Sequence, residues 1–94
     1  VESIRVHIIG KAGCHLCDDA EVVVTSVAAK YRNVVVEHSV LDDDAEWAVL
    51  YADKIPVIHI DGDEVAYWRI SATTLAHELD TRGGIPVTGN TEYK

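Results

Sequence analysis

The change of hydrophobic period along the chain restricts its fold more than any other sequence feature. Ile4-Arg5-Val6-His7-Ile8-Ile9, bounded by Gly10 and Gly13, is short, rich in β-branched residues and reads as a buried strand. From Leu16 the period lengthens: Leu16, Ala20, Val23, Val24, Val27 and Tyr31 recur every three or four residues and mark one stripe of a helix reaching to about Lys30. Val22, Val23, Val24, Thr25 and Val27 lower its intrinsic propensity, so packing on a sheet must supply its stability. Asp18, Asp19 and Glu21 in its first turns and Lys30 and Arg32 at its end suit the helix dipole.

The second strand is Val34 to Val40. Val34, Val36 and Val40 share one face while Val35 and Leu41 share the other, which predicts burial on both faces, as in a central or parallel strand. Asp42-Asp43-Asp44 reads as the capping start of a short helix over 43–52 rather than a metal site, since adjacent acids point in different directions. Pro56 opens a third strand, Val57-Ile58-His59-Ile60, and Asp61-Gly62 folds it back into Glu64-Val65-Ala66-Tyr67-Trp68. Ser71 caps a last helix carrying Ala72, Leu75, Ala76 and Leu79, ended by Gly83-Gly84. The order β-α-β-α-β-β-α predicts an α/β fold: a right-handed parallel unit extended by a hairpin, giving a mixed four-stranded sheet with helices on both sides.

At 94 residues the chain supports one core, expected over 1–80, and Ile85 to Lys94 reads as a loosely attached tail within 81–94. A hydrophobic share of 48% excludes a disordered chain. Sixteen acids against eight Lys+Arg give a net charge of -8, and the cations are scattered, which argues against a nucleic-acid partner. No apolar run approaches the roughly 20 residues of a membrane helix, nor does any stretch read as a signal peptide, so the expectation is a cytoplasmic monomer without membrane contact.

Both cysteines fall in one unit, Cys14-His15-Leu16-Cys17. A disulfide across two intervening residues constrains the unfolded chain least of all, so a structural role is poorly motivated and a chemical one rises. The unit follows a buried strand and opens a helix, where unpaired N–H groups and the dipole favour a thiolate at Cys14. Cys17 lies one turn further in, placed to attack a mixed disulfide formed on Cys14 and release the substrate.

Gly10-Lys11-Ala12-Gly13-Cys14-His15-Leu16-Cys17, the later Lys54-Ile55-Pro56-Val57 with its Asp61-Gly62 turn, and the element order between them resemble a glutaredoxin-like protein of the thioredoxin superfamily. The resemblance covers residues 4 to about 80. It implies a thioredoxin-like fold of the glutaredoxin type, a thiol-disulfide oxidoreductase with Cys14 and Cys17 as catalytic pair, a cis Pro56 facing them, and Ile55 pairing its backbone with an extended substrate. It also implies that Lys11 supports the thiolate and contacts a glutathione carboxylate. Two features depart from the family: the inter-cysteine pair is His-Leu, and Tyr67-Trp68-Arg69-Ile70-Ser71 replaces the usual Gly-Gly and acid that hold glutathione. The implied substrates are protein disulfides or small-thiol mixed disulfides, with a reductase or small thiol such as glutathione as electron donor and no resident cofactor.

His15 reads either as a cation that lowers the Cys14 pKa or as an exposed spacer. Asp18 and Asp19 either oppose that thiolate or only satisfy the helix start. His7, His38, His59 and His77 read as packing or surface positions, and Tyr67 and Trp68 as core or rim, with lining of a peptide groove as their other reading. Two other functions compete. Zinc or iron-sulfur binding through the cysteines would need a dimer to complete the ligand set, since no second Cys-x-x-Cys or paired histidines exist. A thioredoxin-fold interaction module with incidental cysteines is the third reading.

Overall fold

The structure is a computed structural model that describes residues 3–87. Its elements are β1 (Ile4–Gly10), α1 (His15–Ala28), β2 (Val34–Val40), a 3-10 turn (Leu41–Asp43), α2 (Ala45–Leu50), β3 (Val57–Ile60), β4 (Asp63–Tyr67) and α3 (Ala72–Thr81). The expected order and mixed sheet are found. Strands run β2-β1-β3-β4, with β1 parallel to β2 and antiparallel to β3, and β3 antiparallel to β4. The β3–β4 turn has two residues, Asp61 at φ 52° and Gly62 at φ 90°; both lie in the left-handed region, as a primed hairpin turn requires.

Pleating divides the sheet into two unequal faces. Ile4, Val6 and Ile8 of β1 with Ile58 and Ile60 of β3 meet Ala20, Val24 and Val27 of α1 and Leu75 and Leu79 of α3 in the main core. Each such buried aliphatic chain contributes roughly 1.5–3 kcal/mol relative to exposure. On the reverse face Ile9, Leu41 and Val57 form a smaller cluster under Trp47, Tyr51 and Ile55. His7 and His59, directly opposite each other in the β1/β3 register, also face this side. His7 Nε2 lies 2.7 Å from Ser39 Oγ, and His59 Nε2 lies 3.3 Å from the Tyr51 hydroxyl. Burial, then the neighbouring His7, pushes the His59 pKa below the usual imidazole range, while Glu64 and Asp63 oppose the shift.

The structure corrects several boundaries. β2 is parallel to β1, as one form of the expectation had it, but lies at the sheet edge rather than its centre and is not buried on both faces: Val35 and Val40 are 44% and 47% exposed. Its valines satisfy strand propensity, but on the α2 face the six-residue helix is too short to cover Val35 at the edge. That helix runs over Ala45–Leu50 instead of 43–52: Asp44 caps it, accepting from Glu46 N at 2.9 Å and Trp47 N at 3.1 Å, and the two preceding acids sit in the 3-10 turn. α1 stops at Ala28, because Lys30 and Tyr31 donate to Val27 and Ala28 carbonyls in a tightened last turn. Lys30 and Arg32 therefore lie beyond the helix end they were expected to complement.

The expected loose segment from Ile85 falls partly on residues 88–94, outside the described residues. Ile85 to Val87 are tied down: Ile85 N donates to Asn33 Oδ1, Arg32 N to Ile85 O and Val87 N to Lys30 O, each at 2.8 Å. Gly84 permits this closure, since a Cβ there would stand 2.8 Å from the Tyr31 ring. The Tyr31 hydroxyl donates to Asp80 at 2.7 Å; burial, with that carboxylate second, pushes its pKa up to about 12.

Candidate active site

Three loops meet at one end of the sheet: the β1–α1 loop, the segment entering β3 and the segment leaving β4. β1 ends at Gly10, and Lys11, Ala12 and Gly13 turn the chain, with Gly13 at φ 77° where an L side chain would be strained. Cys14 is the N-cap of α1 with extended backbone, φ -97° and ψ 110°. Its Sγ accepts from Cys17 N at 3.1 Å and its carbonyl accepts from Asp18 N at 3.1 Å. The same amide N–H would donate to a Cys14 thiolate in the reduced protein, and a helix N-terminus with a fourteen-residue helix behind it favours that anion further. Cys14 is half-buried and Cys17 is 8% exposed, so the first cysteine is the more accessible of the two.

Cys14 and Cys17 are joined in a disulfide, their Cα atoms 5.2 Å apart. The burial of Cys17 depends on a residue that sequence reading treated only as a strand boundary. A Cβ on Gly10 would lie 2.8 Å from Cys17 Sγ and 3.1 Å from its Cβ, so only glycine lets helix and strand approach this closely. No local pattern marks such a glycine, since its φ is ordinary and the clash is with a residue seven positions away.

Lys11 is exposed, lines a cavity with Cys17, and forms no ion pair among the described residues. His15, the first residue of α1, is exposed. Asp18 and Asp19 are exposed on opposite sides of the helix start: Asp18 borders the cavity with Cys17, Asp19 a second cavity. Ile55 and Pro56 precede β3, and because Val57 pairs with Ile9, Pro56 lies level with Gly10 at the end of the sheet from which Cys14 projects. Pro56 is fully buried and its peptide bond with Ile55 is cis. The structure thus brings Lys11, Cys14, Cys17, Ile55 and Pro56 to one edge.

Tyr67 and Trp68 are not core residues; they are 42% and 50% exposed. Trp68 N donates to Pro56 O at 2.8 Å and its indole N–H to Asp53 O at 2.7 Å, while Lys54 Nζ stands 5.1 Å over the Tyr67 ring. Trp68 sits at φ 66°, an uncommon conformation for a large side chain. With Leu16, between the cysteines, and Arg69 it lines the second cavity, of about 340 Å³. The first cavity, of about 290 Å³, opens on the other side of α1 and reaches Cys17 past Gly10, Glu21 and His38. Among the described residues no group of three or more His, Cys, Asp or Glu side chains is arranged to hold a metal ion, and no helix is long and apolar enough to cross a membrane.

Residues 5–80 match the family model described as Glutaredoxin-like domain. No curated protein matches the chain significantly. Among solved structures, the structural-genomics target protein XcR50 from X. campestris is 27% identical over 81% of this chain and 96% of its own, with a TM-score of 0.66. Protein Ne2328 from Nitrosomonas europaea is 21% identical over 83% of this chain and 93% of its own, at a TM-score of 0.70. A mutant thioredoxin from Halobacterium salinarum shares the fold at 18% identity, covering 85% of this chain and 74% of its own, at a TM-score of 0.63. The family match spans both cysteines and the Ile55-Pro56 segment, and so this chain belongs to the glutaredoxin-like domain family, with a fold like that of thioredoxin.

Proposed function

We propose that the protein is a small dithiol-disulfide oxidoreductase in which Cys14 attacks and Cys17 resolves. The asymmetry of the pair carries the reading: the half-buried sulfur is the one at the helix N-cap with an amide N–H aimed at it, and the other is buried one turn in. A Cys14 thiolate attacks one sulfur of a substrate disulfide, forming a Cys14 mixed disulfide and expelling the other sulfur as thiolate, which takes up a proton. Cys17 loses its proton, attacks Cys14 Sγ, and the second substrate thiolate departs. The protein is left oxidised, the substrate has gained two electrons and two protons, and an external dithiol or two thiols return the enzyme to its starting state.

Lys11 at the mouth of the site suits an anionic partner such as a small-thiol carboxylate, and the backbone of Ile55 beside Pro56 suits an extended peptide. His15 adds a cation near Cys14 when protonated. Protein disulfides and small-thiol mixed disulfides are the substrate classes, a reductase or a small thiol such as glutathione the donor, and a reducing cytoplasm the setting that keeps the pair cycling. The test is Cys17→Ser: it accumulates a Cys14 mixed disulfide with a model disulfide or with cell proteins, visible by intact mass, whereas Cys14→Ser traps nothing. Absence of any trapped species together with no turnover sinks the proposal.

A further inference from the structure

Resolution requires Cys17 to lose a proton, and a thiol with an ordinary pKa near 8.5 is mostly protonated at neutral pH. Cys17 N–H is committed to Cys14 Sγ, and its sulfur lies against Gly10, which has no side chain. The cavity of about 290 Å³ on the β2 side of α1 reaches this residue, and it is roomy and polar enough to hold water. Glu21 stands one turn beyond Cys17 on α1 and lines the same cavity. From β2, His38 Nε2 meets Glu21 Oε2 at 3.4 Å. The other charged groups on the cavity wall are Lys11 of the β1–α1 loop, Asp18 of α1 and Asp43 of the 3-10 turn, with the Ser39 hydroxyl beside them.

We propose, resting on the redox reading above, that His38 is the proton acceptor for Cys17 in the resolving step and that Glu21 is its positioning residue. With Nε2–H donated to Glu21, Nδ1 carries the lone pair. The Cys17 S–H proton passes through a cavity water to Nδ1, Cys17 Sγ bonds to Cys14 Sγ, and the Cys14–substrate S–S bond breaks. The departing thiolate takes a proton as the imidazolium returns its own to solvent. An imidazole suits this transfer better than the carboxylates around it, because its ordinary pKa lies nearer both neutral pH and that of a thiol.

The test separates the two chemical steps on the full chain. Reduced protein mixed in stopped flow with an aromatic disulfide that releases a coloured thiolate gives one equivalent when Cys14 attacks and a second when Cys17 closes the ring. His38→Gln leaves the first phase unchanged and slows the second by about tenfold at pH 7, below the usual general-base effect of about 10²–10⁴-fold because solvent competes. The loss disappears toward pH 9.5, where the thiol ionises unaided. Glu21→Gln gives a smaller loss of the same form. Both side chains are about half exposed, 51% and 53%, so neither substitution threatens the fold. An unchanged second phase, a loss independent of pH, or a larger loss from Glu21→Gln overturns the assignment of His38. Absence of a second phase in the wild type at every pH overturns the redox reading itself, a result distinct from the others.

Discussion

The two faces of the sheet are built to different standards. Under α1 and α3, eleven buried side chains form the main core, whereas under α2 only three buried aliphatics pack with two half-buried aromatic rings and Ile55, beside a pair of histidines. Both faces reach the site. α1 and the thick core hold the cysteines, while the thin face ends at the Ile55-Pro56 segment. The difference puts the cysteines on the thicker core and leaves the proposed substrate edge on a shallower one, where hydrogen bonds from Trp68 to Pro56 and Asp53 carbonyls add to the burial of Pro56.

Four measurements would break or sharpen that contrast. Leu79→Ala, in the thick core, should cost about 3 kcal/mol of unfolding free energy, and Trp47→Ala on the thin face about 2 or less despite removing a larger group, because Trp47 is only partly buried. Denaturant titration decides, and an equal or greater cost for Trp47→Ala would abolish the distinction. Gly10→Ala should cost about 1–3 kcal/mol by overpacking and should also slow ring closure by Cys17, since its methyl would sit 2.8 Å from the sulfur.

Tyr31→Phe should cost about 1 kcal/mol through its lost hydrogen bond. With the Tyr31 pKa raised to about 12, its contribution is fully present below pH 10 and is lost as pH rises through 12, a dependence the phenylalanine variant lacks. The smallest effect belongs to His59. Its pKa is lowered on folding, so its contribution is fully present above about pH 6.5 and falls as pH drops below that, when the unfolded chain binds the proton first. His59→Phe should flatten that part of the stability profile; an unaltered slope would assign it to another group.

The site was legible in part. Two cysteines at helix spacing after a buried strand announced the proposed redox pair, and the Ile55-Pro56 segment was recognisable from its family pattern. The proposed pair Glu21 and His38 was not, because sixteen residues of chain separate them and only the parallel β1/β2 register brings β2 beneath α1. Trp68 carries an aromatic signal that sequence reading assigned to core or rim. What turns it outward is its left-handed backbone and the bond to Asp53, neither of which has a one-dimensional trace.

By itself the sequence determined the element order, the cap at Ser71 and the turn at Asp61-Gly62, since periodicity, capping and hairpin chemistry act within a few residues. It also placed the two cysteines at the start of α1. Tertiary structure alone decided that β2 lies at an edge, that α2 shrinks to six residues, that Ile85–Val87 close against the α1–β2 loop, and that Gly10 must have no side chain. Each depends on which distant surface arrives next to it, and packing between segments far apart in the chain is fixed by the whole core rather than by any local pattern.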